Sequence, residues 1–234
     1  MSTEMGHDGT GWLGSSLYDS IPPLQVSLSA FKGYEGSGIH EGSLKLTKGN
    51  KRQEYGIFFQ YQSHELLSSS ALTFSIRRHA SDMLRGSVDV HWLQAGVTGL
   101  KTDHELSISW DLLMMPVPWM NTMVSYNHKP ARCIPNRGMS LTCPSWSGSL
   151  RFIIQDEAFL HGGVMCRDGF APDWAVGFGF KGGKHADITM TRFSLTRALN
   201  TSFGIHYLDW HFLWTIRWHP YLGLSGGSVL AWAF

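Results

Sequence analysis

The chain has 234 residues, 16% of them charged, with 19 Lys plus Arg against 18 Asp plus Glu and a net charge of +1 when histidine is neutral. An ordinary soluble domain carries roughly 25% charge, so this balance excludes a nucleic-acid binder that neutralises phosphates and excludes an acidic tail. A hydrophobic content of 43% excludes a disordered chain, and 26 Gly, 10 Trp, 13 Phe and 7 Tyr describe a sheet protein with one apolar face.

Residues 1–20 read as an N-terminal tail or a short helix ahead of a single β domain over 21–234. They hold neither a basic n-region nor an apolar h-region, so no secretory signal is read there. From residue 24 onward the apolar positions recur at every second place. Leu24, Val26, Leu28 and Ala30 alternate with Gln25, Ser27 and Ser29, and Leu72, Phe74 and Ile76 alternate with Thr73, Ser75 and Arg77. Val88, Val90 and Trp92 oppose Ser87, Asp89 and His91; Leu106, Ile108, Trp110 and Leu112 oppose Ser107, Ser109 and Asp111. The apolar cluster at 112–120 is cut by Pro116 and Pro118, and no run approaches the roughly 18 apolar residues of a helical membrane span. Near the end, Leu208, Trp210, Phe212, Trp214, Ile216 and Trp218 alternate with Asp209, His211, Leu213, Thr215 and Arg217, in one long strand or in a hairpin turning near Asp209. A helix would spread these residues around its axis, whereas a strand collects them on one face.

Turn chemistry separates the segments. Tyr34-Glu35-Gly36-Ser37-Gly38, Lys48-Gly49-Asn50-Lys51, Lys181-Gly182-Gly183-Lys184 and Ser225-Gly226-Gly227 are rich in residues that accept positive φ. Residues 127–147, with Pro130, Pro135, Pro144 and two of the three cysteines (Cys133 and Cys143; the third is Cys166), read as a long loop. The thin cysteine count suggests neither a disulfide framework nor a zinc motif. The spacing favours a meander of hairpins over βαβ units. The fold class is therefore all-β: an antiparallel up-and-down transmembrane β-barrel of about 10–14 strands, the range in which closure removes the sheet edges. A soluble barrel or sandwich would place Lys and Glu on its polar face. Here that face is mostly Ser, Thr, Gln, His and Gly, which favours an apolar face turned to lipid and a polar face lining a lumen.

The chain ends Ser225-Gly226-Gly227-Ser228-Val229-Leu230-Ala231-Trp232-Ala233-Phe234. Ser225, Gly227, Leu230 and Trp232 fill the four places of a polar residue, a glycine and two spaced hydrophobic residues, and the segment resembles the sorting signal of mitochondrial outer-membrane β-barrels. The terminal Phe234, in alternation with Trp232 and Leu230, also looks like the last strand of bacterial outer-membrane proteins. The resemblance implies insertion by a barrel-assembly machinery that captures the last strand by pairing. Bacterial barrels of this class carry a cleavable export signal. The lack of one in the first residues favours a mitochondrial outer membrane, then a plastid outer envelope, with a bacterial outer membrane as the remaining alternative.

The chemistry carried by the pattern is sparse. Arg77, Arg151, Arg192 and Arg217 fall inside expected strands, and each would cost about 2–4 kcal/mol on a lipid face at the midplane, so they should face the lumen or lie at the interface. His79-Ala80-Ser81 resembles the His-x-Ser arrangement of outer-membrane lipid hydrolases, in which alternation points both side chains the same way. His206 has the parity of Trp210, while His211 and His219 have the other, so in a single strand these histidines cannot converge; no metal site and no cofactor is expected. Gly177-Phe178-Gly179-Phe180 lacks the Lys-Ser/Thr of a phosphate loop and reads as a strand in which glycines admit large neighbours. The expected role is a pore or a structural subunit of an outer-membrane complex, more in keeping with a non-enzyme, in contact with membrane lipids, assembly machinery and other subunits. The alternatives are a lipid-acting hydrolase and a soluble lipocalin-like barrel.

Overall fold

The computed structural model describes residues 24–34, 37–50, 52–99, 102–131, 145–154, 158–167, 170–182 and 185–234. They form fourteen strands: Leu24–Lys32 (β1), His40–Gly49 (β2), Gln53–Ser63 (β3), Leu67–Ser81 (β4), Leu84–Val97 (β5), Asp103–Val117 (β6), Met120–Ala131 (β7), Ser145–Ile154 (β8), Ala158–Arg167 (β9), Asp173–Gly182 (β10), Ala186–Phe193 (β11), Leu199–Tyr207 (β12), Trp210–His219 (β13) and Gly223–Ala233 (β14). Each pairs antiparallel with its neighbours in the chain, and β1 pairs with β14, Gln25 opposite Ala233 through Lys32 opposite Gly226, to close the barrel. The expected up-and-down barrel is thus observed, at the upper end of the expected strand number. Among the described residues there is no helix. Residues 1–20 lie outside the described residues, as do 132–144, the middle of the expected long loop; its flanks are strand, in β7 and β8.

The connections sort by mouth. On the side of the two barrel ends the strands are joined over two or three residues, as at 50–52, 82–83, 118–119 and 208–209. On the opposite side most are longer, up to the thirteen residues of 132–144. An even strand count, ends on one side and longer loops on the other are the arrangement of outer-membrane barrels.

Directly paired residues share a face of the sheet, so the register decides what points out. Leu28, Ile57, Phe74, Val88, Val176, Phe178 and Trp214 point outward and are 46–54% exposed. Inside, the order is reversed: 17 of the buried residues described are polar or charged and 7 are hydrophobic. A soluble domain has the opposite distribution, and an apolar outer surface of this extent is stable only against lipid. The outward-facing Lys and Arg side chains described within strands, Lys32, Lys48, Arg78 and Arg192, all lie close to strand ends. Tyr55, Trp119, Phe152, Phe180, Trp210 and Trp232 ring the short-turn side, and Tyr61, Trp92, Trp146, Trp174 and Trp218 ring the other, as interfacial girdles do. Trp210 and Trp232 stack with centroids 5.1 Å apart and 4° between planes.

One expectation is corrected: Ser225-Gly226-Gly227 is not a turn but lies within β14; that turn is at 220–222, followed by Gly223 at positive φ. Of the two readings of the segment around 208–218 the structure shows the hairpin, β12 to β13, turning at 208–209 with Leu208 at φ 53°. The parity that kept His206 from His211 is reset by that turn, and the two histidines are a direct cross-strand pair.

Because the outer wall is solvated by hydrocarbon, Val176→Lys in the middle of β10 should lower the unfolding free energy by about 2–4 kcal/mol. Ser149→Lys, facing the lumen from the middle of β8, should change it by about 0.5 kcal/mol or less. Urea unfolding in lipid vesicles measures both; equal costs would refute the assignment of faces.

Candidate functional site

The lumen is the site that the fold creates, and its wall is built in patches across neighbouring strands. On β4 to β6, Thr73 Oγ1 lies 2.8 Å from His91 Nδ1, and His91 Nε2 lies 2.7 Å from Ser109 Oγ, a chain of side-chain hydrogen bonds over three strands. Nearby, Ser87 Oγ donates to Asp111 Oδ2 at 2.9 Å. Toward the short-turn mouth Arg77 Nη1 pairs with Glu54 Oε1 at 3.1 Å, and toward the other mouth Gln60 Nε2 donates to Glu41 Oε1 at 2.6 Å. Glu41, Glu54 and Asp111 share the wall with Arg77, Arg151 and Arg217, so the lumen has no field of a single sign.

From β8 to β13 the wall uses missing side chains. Gly177 on β10 sits between His161 on β9 and Thr191 on β11, its paired neighbours, and His161 Nε2 reaches over it to within 2.9 Å of Thr191 Oγ1. A Cβ at 177 would run into the Met190 carbonyl oxygen and come within 2.6 Å of the imidazole, so glycine is required there by the backbone of β11 as well as by the bridge. Phe159 lies over Gly179 in the same way, and the Arg151 guanidinium stacks on Phe159, 3.6 Å from the ring centroid. Bulky lumen side chains therefore lie flat along the wall. On β11 to β14, Thr189 Oγ1, Asn200 Oδ1, Arg217 Nε and Ser225 Oγ are shielded by their neighbours and have no protein partner among the described residues. A polar group left without a partner costs about 1–3 kcal/mol, so this is the least satisfied part of the described wall.

Of the residues marked from the sequence, Arg77, Arg151 and Arg217 face the lumen, paired opposite Ser87, His161 and Ser225. Arg192 faces outward near the end of β11. Ser225 and Gly227 point inward, whereas Leu230 and Trp232 point outward; Phe234, which follows β14, packs on Trp232 with ring centroids 3.8 Å apart. His79 and Ser81 are not brought together as a reacting pair. A register irregularity falls between them, Ser81 Oγ accepts from Met83 N at 3.2 Å in the turn, and no hydrogen bond joins the two among the described residues. The structure adds a group that the sequence reading missed: Asp187, His206 and His211 at the short-turn mouth, with Asp187 Oδ2 2.8 Å from His206 Nε2 and the two imidazoles stacked at 4.1 Å. The sequence left strand and hairpin open around Asp209, and only the hairpin brings the two histidines together.

A closed barrel with a lipid-facing wall and a polar lumen is the architecture of outer-membrane channel barrels. The chain shares that fold with the monoaromatic hydrocarbon channel CymD (TM-score 0.70, 7% identity, covering 97% of this chain and 93% of that one). It also shares it with the toluene transporter TbuX of Ralstonia pickettii (0.65, 9%, 92% and 90%) and the outer membrane protein Omp33 of Acinetobacter baumannii (0.58, 6%, 91% and 98%). No protein-family model and no curated protein matches the chain by sequence.

Because a side chain at 177 meets both the Met190 carbonyl and the His161 ring, Gly177→Leu should destabilise the barrel by about 1–3 kcal/mol through overpacking. Gly148→Leu, with nothing within 4 Å of the new Cβ, should be tolerated. Urea midpoints in detergent micelles compare the two, and a neutral Gly177→Leu would remove the argument.

Proposed function

We propose that the protein is an outer-membrane pore that passes small hydrophilic solutes by diffusion. The observation that carries this reading is the lumen wall itself. It is lined by Ser, Thr, Asn, Gln and His, with an Arg77–Glu54 ion pair and a Gln60–Glu41 hydrogen bond across neighbouring strands. CymD and TbuX are named for aromatic hydrocarbons. The polar wall here favours a hydrophilic cargo, because an apolar solute would strand those groups without partners. Mixed charge predicts weak ion selectivity.

The test is single-channel recording of the purified barrel in a planar bilayer. Discrete ohmic steps are expected, with a smaller step for Ser147→Trp, whose side chain enters the lumen from β8. A heat-modifiable, folded barrel that gives no steps would overturn the pore reading in favour of a structural subunit of an outer-membrane complex.

Residues Ser225, Gly227, Leu230, Trp232 and Phe234 serve as the insertion signal read by the assembly machinery, and their likeness to the mitochondrial pattern supports a mitochondrial outer membrane. The even strand count and the bacterial barrels that share the fold support a bacterial outer membrane as the alternative. Leu230→Gln should slow insertion into isolated mitochondria several-fold while leaving detergent refolding yield unchanged. Equal loss in both assays would make Leu230 merely a stabilising residue, and unchanged insertion would remove the signal.

A further inference from the structure

The geometry points to a binding site for a divalent transition ion of the Zn2+ class, formed by Asp187, His206 and His211 at the short-turn mouth of the lumen. The three side chains come from three neighbouring strands, β11, β12 and β13, and their ligand atoms all lie within 4.8 Å of one another. Among the described residues this is the one such group of three His, Cys, Asp or Glu ligands.

Each position has a structural cause. His206 and His211 flank the tight 208–209 turn as a direct pair, which holds the imidazoles face to face with 9° between their planes. Asp187 is paired with Gly204, and a Cβ at 204 would fall 2.5 Å from Asp187 Oδ1; only a bare backbone there lets the carboxylate lean toward His206. All three residues are half-buried on the lumen side, open to an ion arriving through the aqueous mouth.

Two imidazole nitrogens and one carboxylate oxygen suit Zn2+, Ni2+ or Cu2+, whereas Ca2+ and Mg2+ take oxygen cages. Bonds of about 2.0–2.2 Å require tetrahedral donors roughly 3.3–3.6 Å apart. Rotation of the imidazoles out of their stack brings the donors to that spacing, without breaking the β pairing. On binding, neutral His206 holds its proton on Nδ1 and gives the Nε2 lone pair to the ion, replacing its hydrogen bond to Asp187 Oδ2; one nitrogen of His211 and one carboxylate oxygen complete the protein ligands, and water fills the fourth position. The site does not depend on whether the lumen conducts.

The test uses the full-length barrel in detergent micelles, stripped with chelator and titrated calorimetrically at neutral pH with ZnCl2 and, separately, MgCl2. One Zn2+ per barrel at micromolar affinity and no Mg2+ response are expected. His206→Ala and His211→Ala, each first checked for the heat-dependent gel shift of a folded barrel, should weaken binding at least about tenfold, as should Asp187→Asn. Absence of Zn2+ binding, or folded variants that bind as tightly as the parent, would overturn the site. Should a variant fail to fold, X-ray absorption of the zinc-loaded parent decides. Two imidazole nitrogens and a carboxylate sustain the site, and an oxygen-only or single-imidazole shell refutes it.

Discussion

The whole structure follows from the closure of β1 on β14. In hydrocarbon an unpaired backbone N–H or C=O has no water to turn to, so an open sheet edge costs several kcal/mol for each group left bare. Eight consecutive residue pairs, from Gln25–Ala233 to Lys32–Gly226, remove that edge. Once the sheet is a cylinder it has only an outside and an inside, and the period of two in each strand assigns every side chain to one or the other. The outer wall of Leu, Ile, Val, Phe and Trp, the belts of Trp and Tyr, and the confinement of outward Lys and Arg to strand ends are consequences of that single geometric fact.

Inside the cylinder the problem is different: how to seat large side chains against a polar wall. The wall between β8 and β13 answers by pairing large side chains with glycine on the next strand. Phe159 lies across Gly179, His161 across Gly177, and Asp187 across Gly204, each side chain folded against the sheet. The same device serves the seam, where Phe31 on β1 covers Gly227 on β14. Hydroxyls and imidazoles then tie adjacent strands together, as in Thr73–His91–Ser109 and Ser202–Thr215. The inner wall is thus cross-linked by polar contacts from strand to strand.

These constraints also explain why barrels with 6–9% identity share the fold. Closure and alternation are met by any suitable sequence of apolar-out, polar-in residues, and the outer wall asks only for hydrophobicity. What a particular barrel admits is decided by the lumen residues, where small differences in register and glycine placement change which groups meet. Fold likeness therefore carries the architecture, and the chemistry of the interior carries the function.

The sequence by itself determined the strands, their faces and the lipid-facing exterior, because a period of two is a local property that survives whatever the neighbours do. It also determined that Arg77, Arg151 and Arg217 would avoid lipid and that Gly177 and Gly179 would admit large neighbours. Only the tertiary structure decided who faces whom across strands. The turn at 208–209 is the clearest instance: Leu208 adopts φ 53°, a conformation β-turns normally reserve for Gly or Asn, so no local signal separated a hairpin from a long strand. Ser225-Gly226-Gly227 failed in the opposite direction, turn residues in composition but held extended by pairing on both sides, with Thr215 opposite Gly227 on β13 and Phe31 opposite it on β1. The meeting of Asp187 with His206 and His211 depends on three registers and one missing Cβ at once, and no window along the chain contains that information.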